Sequence, residues 1–247
     1  MMIFRITTAI FLLLFVLRDA SAKNDSTINH IFKLIYNEQF AQAEQALSKS
    51  QNFNNSFYAD VLKIDLYWWK YVNTKEREDR NRITAIMKDF SESTNHSPEG
   101  KIKQLIGKSY QIRFEFDRYN LPGAVATRSE IKQLINGIQQ ENNQYSKERA
   151  KLFELYTLLF QYFDNLINPF FSERKRIKRT TALILLDKFT THQDLIVRTL
   201  ACYFVGKIYL NIEKEPQKSM PCFEFLVKQF PKNLLFSELL TDCKKKI

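Results

Sequence analysis

The spacing of the apolar residues restricts the fold of this chain more than any other feature of its sequence, because that spacing is helical almost everywhere. Over 146–167 the apolar side chains recur at intervals of three and four residues: Leu152, Leu155, Tyr156, Leu159, Phe160, Phe163 and Ile167. This is the period of an amphipathic α-helix. The chain of 247 residues has only five glycines and six prolines to interrupt such a pattern, and none of its runs alternates like a β-strand. The sequence therefore predicts an all-α protein.

Short polar links divide the periodic segments into eleven predicted helices. We expect them near 27–38, 40–50, 57–72, 79–92, 99–118, 121–141, 146–167, 170–190, 193–211, 216–230 and 234–245. Links this short join antiparallel neighbours. The leading helix of each pair starts near residue 28, 57, 100, 146, 194 or 234. Recurrence at roughly 30 to 50 residues is typical of stacked helical hairpins. We predict one such domain over 23–247.

The first 22 residues have the three parts of a secretory signal. Arg5 supplies a positive charge, 6–17 is an apolar run, and 20–22 reads Ala-Ser-Ala. The alternative is a membrane anchor, but the apolar run falls short of the roughly 20 residues that a spanning helix needs. We expect cleavage after Ala22, export to the periplasm or beyond, and no membrane-spanning segment in the mature chain.

The segment 205–233 has the residue spacing of a known helical hairpin. Gly206 occupies the small position of a first helix, and Tyr209 follows three residues later. Ser219 and Phe223 occupy matching positions in a second helix, and Pro231 ends the unit. With these residues the segment resembles a tetratricopeptide repeat that has one extra residue in the turn near 213–216.

The segment 31–50 resembles the same repeat through Phe40, Ala43 and Leu47. The resemblance implies an α–α superhelix whose first helices line a groove for peptides or partner domains. It also implies that Tyr203 and Lys207 face this groove. Exported proteins of Bacteroidetes-type bacteria contain similar divergent repeats, and the Lys-, Asn-, Ile- and Phe-rich composition is compatible with such an origin.

Local motifs for catalysis or metal binding are missing from the sequence. The "GKS" at 107–109 lies in a helical pattern and not in the strand–loop–helix context of a phosphate-binding loop. His30, His96 and His192 are isolated, and no CxxC occurs. We therefore predict that the protein is not an enzyme and needs no cofactor or metal.

The chain is basic, with a formal net charge of +10, and one short segment concentrates that charge. The segment 174–179 contains Arg174, Lys175, Arg176, Lys178 and Arg179. We interpret it as the solvated face of a helix. The alternative is a contact with an anionic envelope polymer or lipid, mainly through Arg174, Arg176 and Arg179. An exported protein is not expected to bind nucleic acid.

Three cysteines, Cys202, Cys222 and Cys243, lack the spacing of metal ligands. Cys202 and Cys222 fall on two helices that should be neighbours, so they could pair in an oxidising compartment. We favour buried free thiols, since native cysteine is commonly buried as a small hydrophobe.

Two adjacent tryptophans, Trp68 and Trp69, follow Asp65 within a predicted helix. The apolar residues of 57–72 cover too wide an arc for a helix with one buried face, so we expect an interior helix with each indole packed on a different neighbour. Asp65 lies in the same arc and must have a polar partner if it is buried. An indole N–H or a nearby arginine is the expected donor.

The sequence-based hypothesis is an exported, non-enzymatic scaffold that binds a protein or peptide in the groove of a helical-repeat solenoid. The first alternative is binding of an anionic envelope polymer or lipid through 174–179. The second is an envelope enzyme whose site is assembled across several helices.

Overall fold

The computed structural model describes residues 26–49, 57–92, 97–140, 147–167 and 173–247. All regular secondary structure in these ranges is helical, which confirms the all-α prediction. The helices are α1 over 26–36, α2 Phe40–Lys49, α3 Phe57–Thr74, α4 Arg77–Ser91, α5 Pro98–Asp117, α6 Leu121–Gln140, α7 Lys147–Ile167, α8 Glu173–Phe189, α9 Leu195–Lys207, α10 Pro216–Gln229 and α11 Leu234–Lys245. A π-helix, Ile208–Glu213, continues α9. The predicted signal lies outside the described residues.

Several helices begin at side-chain caps. Ser97, Asp194 and Asn233 precede α5, α9 and α11, and each accepts a hydrogen bond from a backbone N–H three residues later, at 3.1, 2.9 and 3.0 Å. A cap of this kind contributes about 1 kcal/mol because it satisfies a donor that the helix leaves unpaired. At the other end of a helix, Pro231 follows the last residues of α10 as expected.

The helices stack as hairpins in two layers. Each helix from α2 to α10 packs against the next helix along the chain. Helices α3, α5, α7 and α9 also pack against one another in that order. The leading helices of the predicted hairpins therefore form the inner layer, and the second helices lie outside them.

The two ends of the helical stack meet. The Asn233 side chain donates a hydrogen bond to the backbone carbonyl of Tyr36 at 2.9 Å, and the Lys232 N–H donates to Asn37 Oδ1 at 3.2 Å. The Tyr36 ring lies 5.4 Å from that of Phe230. Helix α1 thus packs on the last hairpin, and aromatic side chains fill the centre of the inner layer.

Helices α9 and α10 cross at the glycine that the repeat pattern singled out. A Cβ atom at Gly206 would lie 2.8 Å from Cε1 of Phe223 and 3.2 Å from Cβ of Cys222, so only glycine permits this approach. Phe223 is fully buried and Tyr209 is 8% exposed. Helix α9 continues into the π-helix before the turn, and the hydrogen bonds of a π-helix enclose one residue more than those of an α-helix.

One described segment, Leu195–Glu213, is long and apolar enough to span a membrane, and 67% of its most apolar window is buried inside the protein. It corresponds to α9 with its π-helical extension, which lies in the inner layer. Its apolar character is accounted for by packing against the neighbouring helices.

Candidate functional site

The two tryptophans of α3 lie in the interior and face different neighbours, as expected. Trp69 is 3% exposed, and its ring lies 5.3 Å from Tyr36, 5.7 Å from Tyr203 and 5.6 Å from Phe236. These rings belong to α1, α9 and α11. Trp68 is 5% exposed and contacts Tyr110 of α5 at 5.4 Å. Helix α3 is therefore the element on which the two ends of the described helical stack converge.

Asp65 is 1% exposed and is held by two tyrosines. The Tyr110 hydroxyl donates to Oδ1, and the Tyr36 hydroxyl donates a longer hydrogen bond to Oδ2 at 3.5 Å. We expected a polar partner, and the structure has one, but the expected donors were wrong. Trp69 takes part only indirectly, through the contact of its ring with that of Tyr36.

The surroundings of Asp65 alter its titration. Burial raises the pKa of Asp65 to about 6, against the opposing effects of the Tyr110 hydrogen bond and the positive charge of Arg113. Burial, and then the charge of Asp65, raise the pKa of Tyr36 and of Tyr110 well above the ordinary value. The two hydroxyls therefore stay protonated and remain donors to the carboxylate.

A pocket of about 390 Å³ lies beside this buried cluster, between α5, α6, α7, α9 and the π-helix. Its volume is at the lower end of the range for small-molecule sites. Its apolar walls are formed mainly by Ile112, Phe116, Phe160, Phe163, Phe204 and Ile212. Tyr110 and Tyr156, which also line it, are 3% and 5% exposed. Through Tyr110 the pocket adjoins Asp65.

Four charged side chains line the pocket, and two of them form an ion pair. Arg128 Nε lies 2.5 Å from Asp164 Oδ1, so these two charges compensate each other. The other two, Arg113 and Lys207, are not in ion pairs with the described residues. Within the described part of the chain, no carboxylate oxygen lies within 4.0 Å of either side chain. Two half-buried cations without an acidic partner thus face a largely apolar space.

Aromatic rings hold these two cations in place. The Arg113 guanidinium lies 4.3 Å from the Trp68 ring centroid and 5.1 Å from that of Phe204. The Lys207 ammonium lies 5.0 Å from the Tyr203 ring centroid and donates a hydrogen bond to its hydroxyl at 3.3 Å. Cation–π contacts of this kind compensate part of the loss of hydration.

The residues predicted to bind a partner fall into two places. Tyr203 and Lys207 both line the pocket, although Tyr203 is only 7% exposed. Arg174 and Arg176 lie on the exposed face of α8, where Arg176 pairs with Glu173 at 2.7 Å. Arg179 turns towards Glu213 of the π-helix at 3.6 Å. The basic cluster is therefore divided between two faces of α8.

Sequence reasoning missed Tyr110, Arg113, Arg128 and Tyr156. Tyr110 and Arg113 are three residues apart on α5 and so share a side of that helix, which was the only local signal. Nothing in the sequence showed that this side would meet α7 and α9.

The three cysteines are buried free thiols. A hydrogen bond between Cys202 and Cys222, reinforced by burial, raises the pKa of the Cys222 thiol. The Cys243 thiol donates a hydrogen bond to the Pro216 carbonyl at 3.1 Å. These thiols act in the packing between α9, α10 and α11.

Across the described ranges, no three His, Cys, Asp or Glu side chains come together where they could hold a metal ion. Comparison of the chain with protein-family models, with curated proteins and with solved structures found no match. Function must therefore be argued from the pocket itself.

Proposed function

We propose that this protein is a non-enzymatic binding protein that holds a peptide segment of a partner in the pocket between α5, α6, α7 and α9. The resemblance of 205–233 to a tetratricopeptide repeat supports this class of function. The signal-like segment 1–22 supports export, which would place the partner in the cell envelope or outside the cell. Both parts of the proposal are open to experiment.

The observation that carries the proposal is an apolar pocket with exposed apolar side chains on two of the helices that form it. Phe116 lines the pocket and is 42% exposed, and the nearby Leu121 and Val125 are 60% and 63% exposed. Leu121, Val125 and Arg128 follow one another at helical spacing on α6, and Arg128 again lines the pocket. Exposed apolar residues beside a cavity are typical of a binding surface.

The carboxylates near the pocket support binding over catalysis. Asp164 is paired with Arg128, and Asp65 is covered by the hydroxyls of Tyr110 and Tyr36. General acid–base chemistry needs a group within hydrogen-bond reach of the substrate. Asp65 does not line the pocket, and Asp164, which does, holds one of its oxygens on Arg128.

A binding experiment with matched peptide pools tests this function. The pools are fluorescein-labelled hexapeptides with random first positions and a last residue drawn from Phe, Leu, Ile and Val. One pool carries a free carboxylate and the other a C-terminal amide. We expect at least one pool to bind the purified protein, as measured by fluorescence anisotropy.

A pocket-closing variant shows whether this binding uses the pocket. Asn211 lines the pocket and is exposed, so Asn211→Trp should fill the opening and weaken binding at least tenfold. Gln217→Trp adds the same bulk to an exposed position on α10 that does not line the pocket, and should leave binding unchanged. Failure of both pools to bind, or equal binding by the two variants, would contradict the proposal.

A second candidate function is binding of an anionic envelope polymer or lipid by α8. It is favoured by Arg174, Lys175 and Lys178, which make no ion pair within the described residues, unlike Arg176 and Arg179. Changing these three unpaired residues to Gln should abolish flotation with phosphatidylglycerol vesicles and flatten its salt dependence. Unchanged flotation would remove this candidate.

A further inference from the structure

We propose that the turn between α5 and α6 docks the protein on an anionic lipid surface. The segment 116–125, which we call the α5–α6 tip, would place its exposed apolar side chains among the lipid headgroups and an unpaired arginine on a phosphate. This inference goes beyond the proposed function, because it concerns one end of a helical hairpin and a partner that is not a peptide.

The first argument is the concentration of exposed apolar side chains at the α5–α6 tip. Among the described residues, eight large apolar side chains are exposed, and four of them lie within 116–125: Phe116, Tyr119, Leu121 and Val125. Tyr119 is the most exposed of the eight, at 90%. Exposed apolar residues that occur singly are ordinary, whereas a group of them marks a surface that meets a partner.

The second argument is the backbone of Tyr119, which has a positive φ of 58°. Its N–H donates to the Phe116 carbonyl at 3.1 Å, and the Asn120 N–H donates to the Glu115 carbonyl at 2.9 Å. These hydrogen bonds form a Schellman motif, in which the left-handed residue is usually glycine. The other described residues with positive φ have charged side chains: Glu38, Lys75 and Lys214.

An aromatic residue at such a position is unfavourable for folding. The left-handed backbone brings the Cβ atom of an L-residue close to the following carbonyl oxygen. The Tyr119 ring does not offset this cost by packing, because it is 90% exposed. Contact with a partner outside the protein accounts for a large ring that folding itself does not need.

The third argument is that the carboxylates of the tip region already have donors within the protein. Asp117 accepts hydrogen bonds from the Tyr71 hydroxyl at 2.7 Å and from the Lys75 ammonium at 3.0 Å. Glu115 accepts a hydrogen bond from the Asn120 side chain at 2.6 Å. The negative charge closest to the tip is therefore compensated or hydrogen-bonded.

The cation of the tip, Arg118, is in the opposite situation. It is exposed, and no carboxylate oxygen of the described residues lies within 4.0 Å of its side chain. Its guanidinium lies 5.4 Å from the Phe114 ring centroid, which leaves its N–H donors for an outside acceptor. Arginine is well suited to bind phosphate oxygens. The formal net charge of +10 on the whole chain attracts it to an anionic surface.

These side chains match the chemistry of a lipid headgroup region. Tyrosine is enriched at membrane–water interfaces because its ring is apolar and its hydroxyl is polar. Binding at such an interface grows with the apolar area buried and with attraction to anionic lipids. Phe116 belongs both to the tip and to the lining of the pocket, so docking would hold the pocket close to the lipid surface.

A fluorescent label at the tip tests this docking. The three native cysteines are buried, so Val125→Cys in the full chain gives an exposed thiol for a nitrobenzoxadiazole label. On vesicles of phosphatidylcholine and phosphatidylglycerol we expect the emission to shift to shorter wavelength and to be quenched by brominated lipid. The same label on Gln217→Cys, at an exposed position of α10, should show neither change.

A variant that removes the ring without disturbing the turn gives a second test. Tyr119→Gly suits the positive φ, so its melting temperature should equal or exceed that of wild type. Loss of the ring should weaken flotation with the same vesicles about threefold to tenfold. Leu234→Ser, at a 69% exposed apolar position of α11, should leave flotation unchanged.

The charge of Arg118 gives a third test. Arg118→Gln should weaken binding to vesicles that contain phosphatidylglycerol, while binding to vesicles of phosphatidylcholine alone should stay weak and unchanged. Equal effects on the two kinds of vesicle would overturn the assignment of an anionic surface.

Three other outcomes would overturn the docking itself. The first is equal flotation of Tyr119→Gly and wild type. The second is a label shift on Ile177→Cys of α8 with none at the tip, which would favour the basic helix instead. The third is a tip label whose emission depends on protein concentration and not on vesicles, which would indicate self-association. Tyr119 does not line the pocket, so Tyr119→Gly should bind the peptide pools as wild type does, and the proposed function is tested separately.

Discussion

Replacing Asp65 by asparagine should stabilise the protein at neutral pH. The carboxylate is 1% exposed, and burial raises its pKa from 3.8 to about 6. A shift of this size corresponds to about 3 kcal/mol of unfavourable free energy when the native carboxylate is charged. Because the folded pKa is raised, the protein has the full stability associated with protonated Asp65 only below pH ~4. That stability is lost as the pH rises through the folded pKa near 6. Asparagine has nearly the same shape and keeps an oxygen that can accept from Tyr110.

The assay is urea unfolding, followed by the fluorescence of the only two tryptophans, Trp68 and Trp69, which lie beside Asp65 on α3. We expect the Asp65→Asn variant to be more stable than wild type by up to about 3 kcal/mol at pH 7.5. The advantage should shrink by about 2 kcal/mol at pH 4.5, where the native carboxyl group is mostly protonated.

The dependence on pH separates this effect from an ordinary packing change. Asp89→Asn, at an exposed position of α4, is the matched control and should change stability little at either pH. An advantage that does not vary with pH would refute the reasoning, and so would a variant that is less stable than wild type at pH 7.5. The first result would indicate a packing change, and the second would mean that the two tyrosines stabilise the charged carboxylate more than burial destabilises it.

Three further predictions follow from other parts of the chain. Gly206→Ala places a methyl group 2.8 Å from the Phe223 ring and should lower the free energy of unfolding by about 1–3 kcal/mol, as measured by thermal melts. In Gly137→Ala no atom lies within 4 Å of the new methyl group, so that variant should be as stable as wild type or more stable. A larger loss at Gly137 than at Gly206 would contradict the close crossing of α9 and α10. Asn233→Ala removes both the cap of α11 and the hydrogen bond to Tyr36, so urea unfolding should show a free energy of unfolding lower by about 2 kcal/mol. A decrease below ~0.5 kcal/mol would argue against the contact between α1 and the last hairpin. Mass spectrometry of the protein recovered from its host should find Lys23 as the first residue, and recovery of the intact N-terminus would rule out cleavage after Ala22.

The arrangement of helices was readable from the sequence because few residues interrupt the helical period, and the leading helices proved to be the inner ones. The end of α9 was harder to place, because a π-helix differs from an α-helix in its hydrogen bonding and not in any distinct residue pattern. Periodicity alone could not show that the hydrogen bonding would change at Ile208.

The partners of Asp65 and the pocket depended on contacts that sequence spacing does not encode. Tyr110 and Tyr36 lie 45 and 29 residues from Asp65 along the chain. The apolar arc of α3 included Asp65, but the identity of its donors depended on the packing of α1 and α5 on α3. Arg113 likewise belongs to an ordinary helical pattern, and only the approach of α9 makes it a wall of the pocket.

Photo-crosslinking would locate the occupant of the pocket directly. The probe is a free-acid hexapeptide whose last residue is benzoylphenylalanine, and the crosslinked site is mapped by mass spectrometry of the digested adduct. We expect adducts at the pocket walls, on Ile112, Phe204 or Ile212, and we expect the Asn211→Trp variant to suppress them. Adducts confined to 174–179 of α8, or adducts at the pocket walls that Asn211→Trp leaves undiminished, would contradict binding of a partner peptide in this pocket.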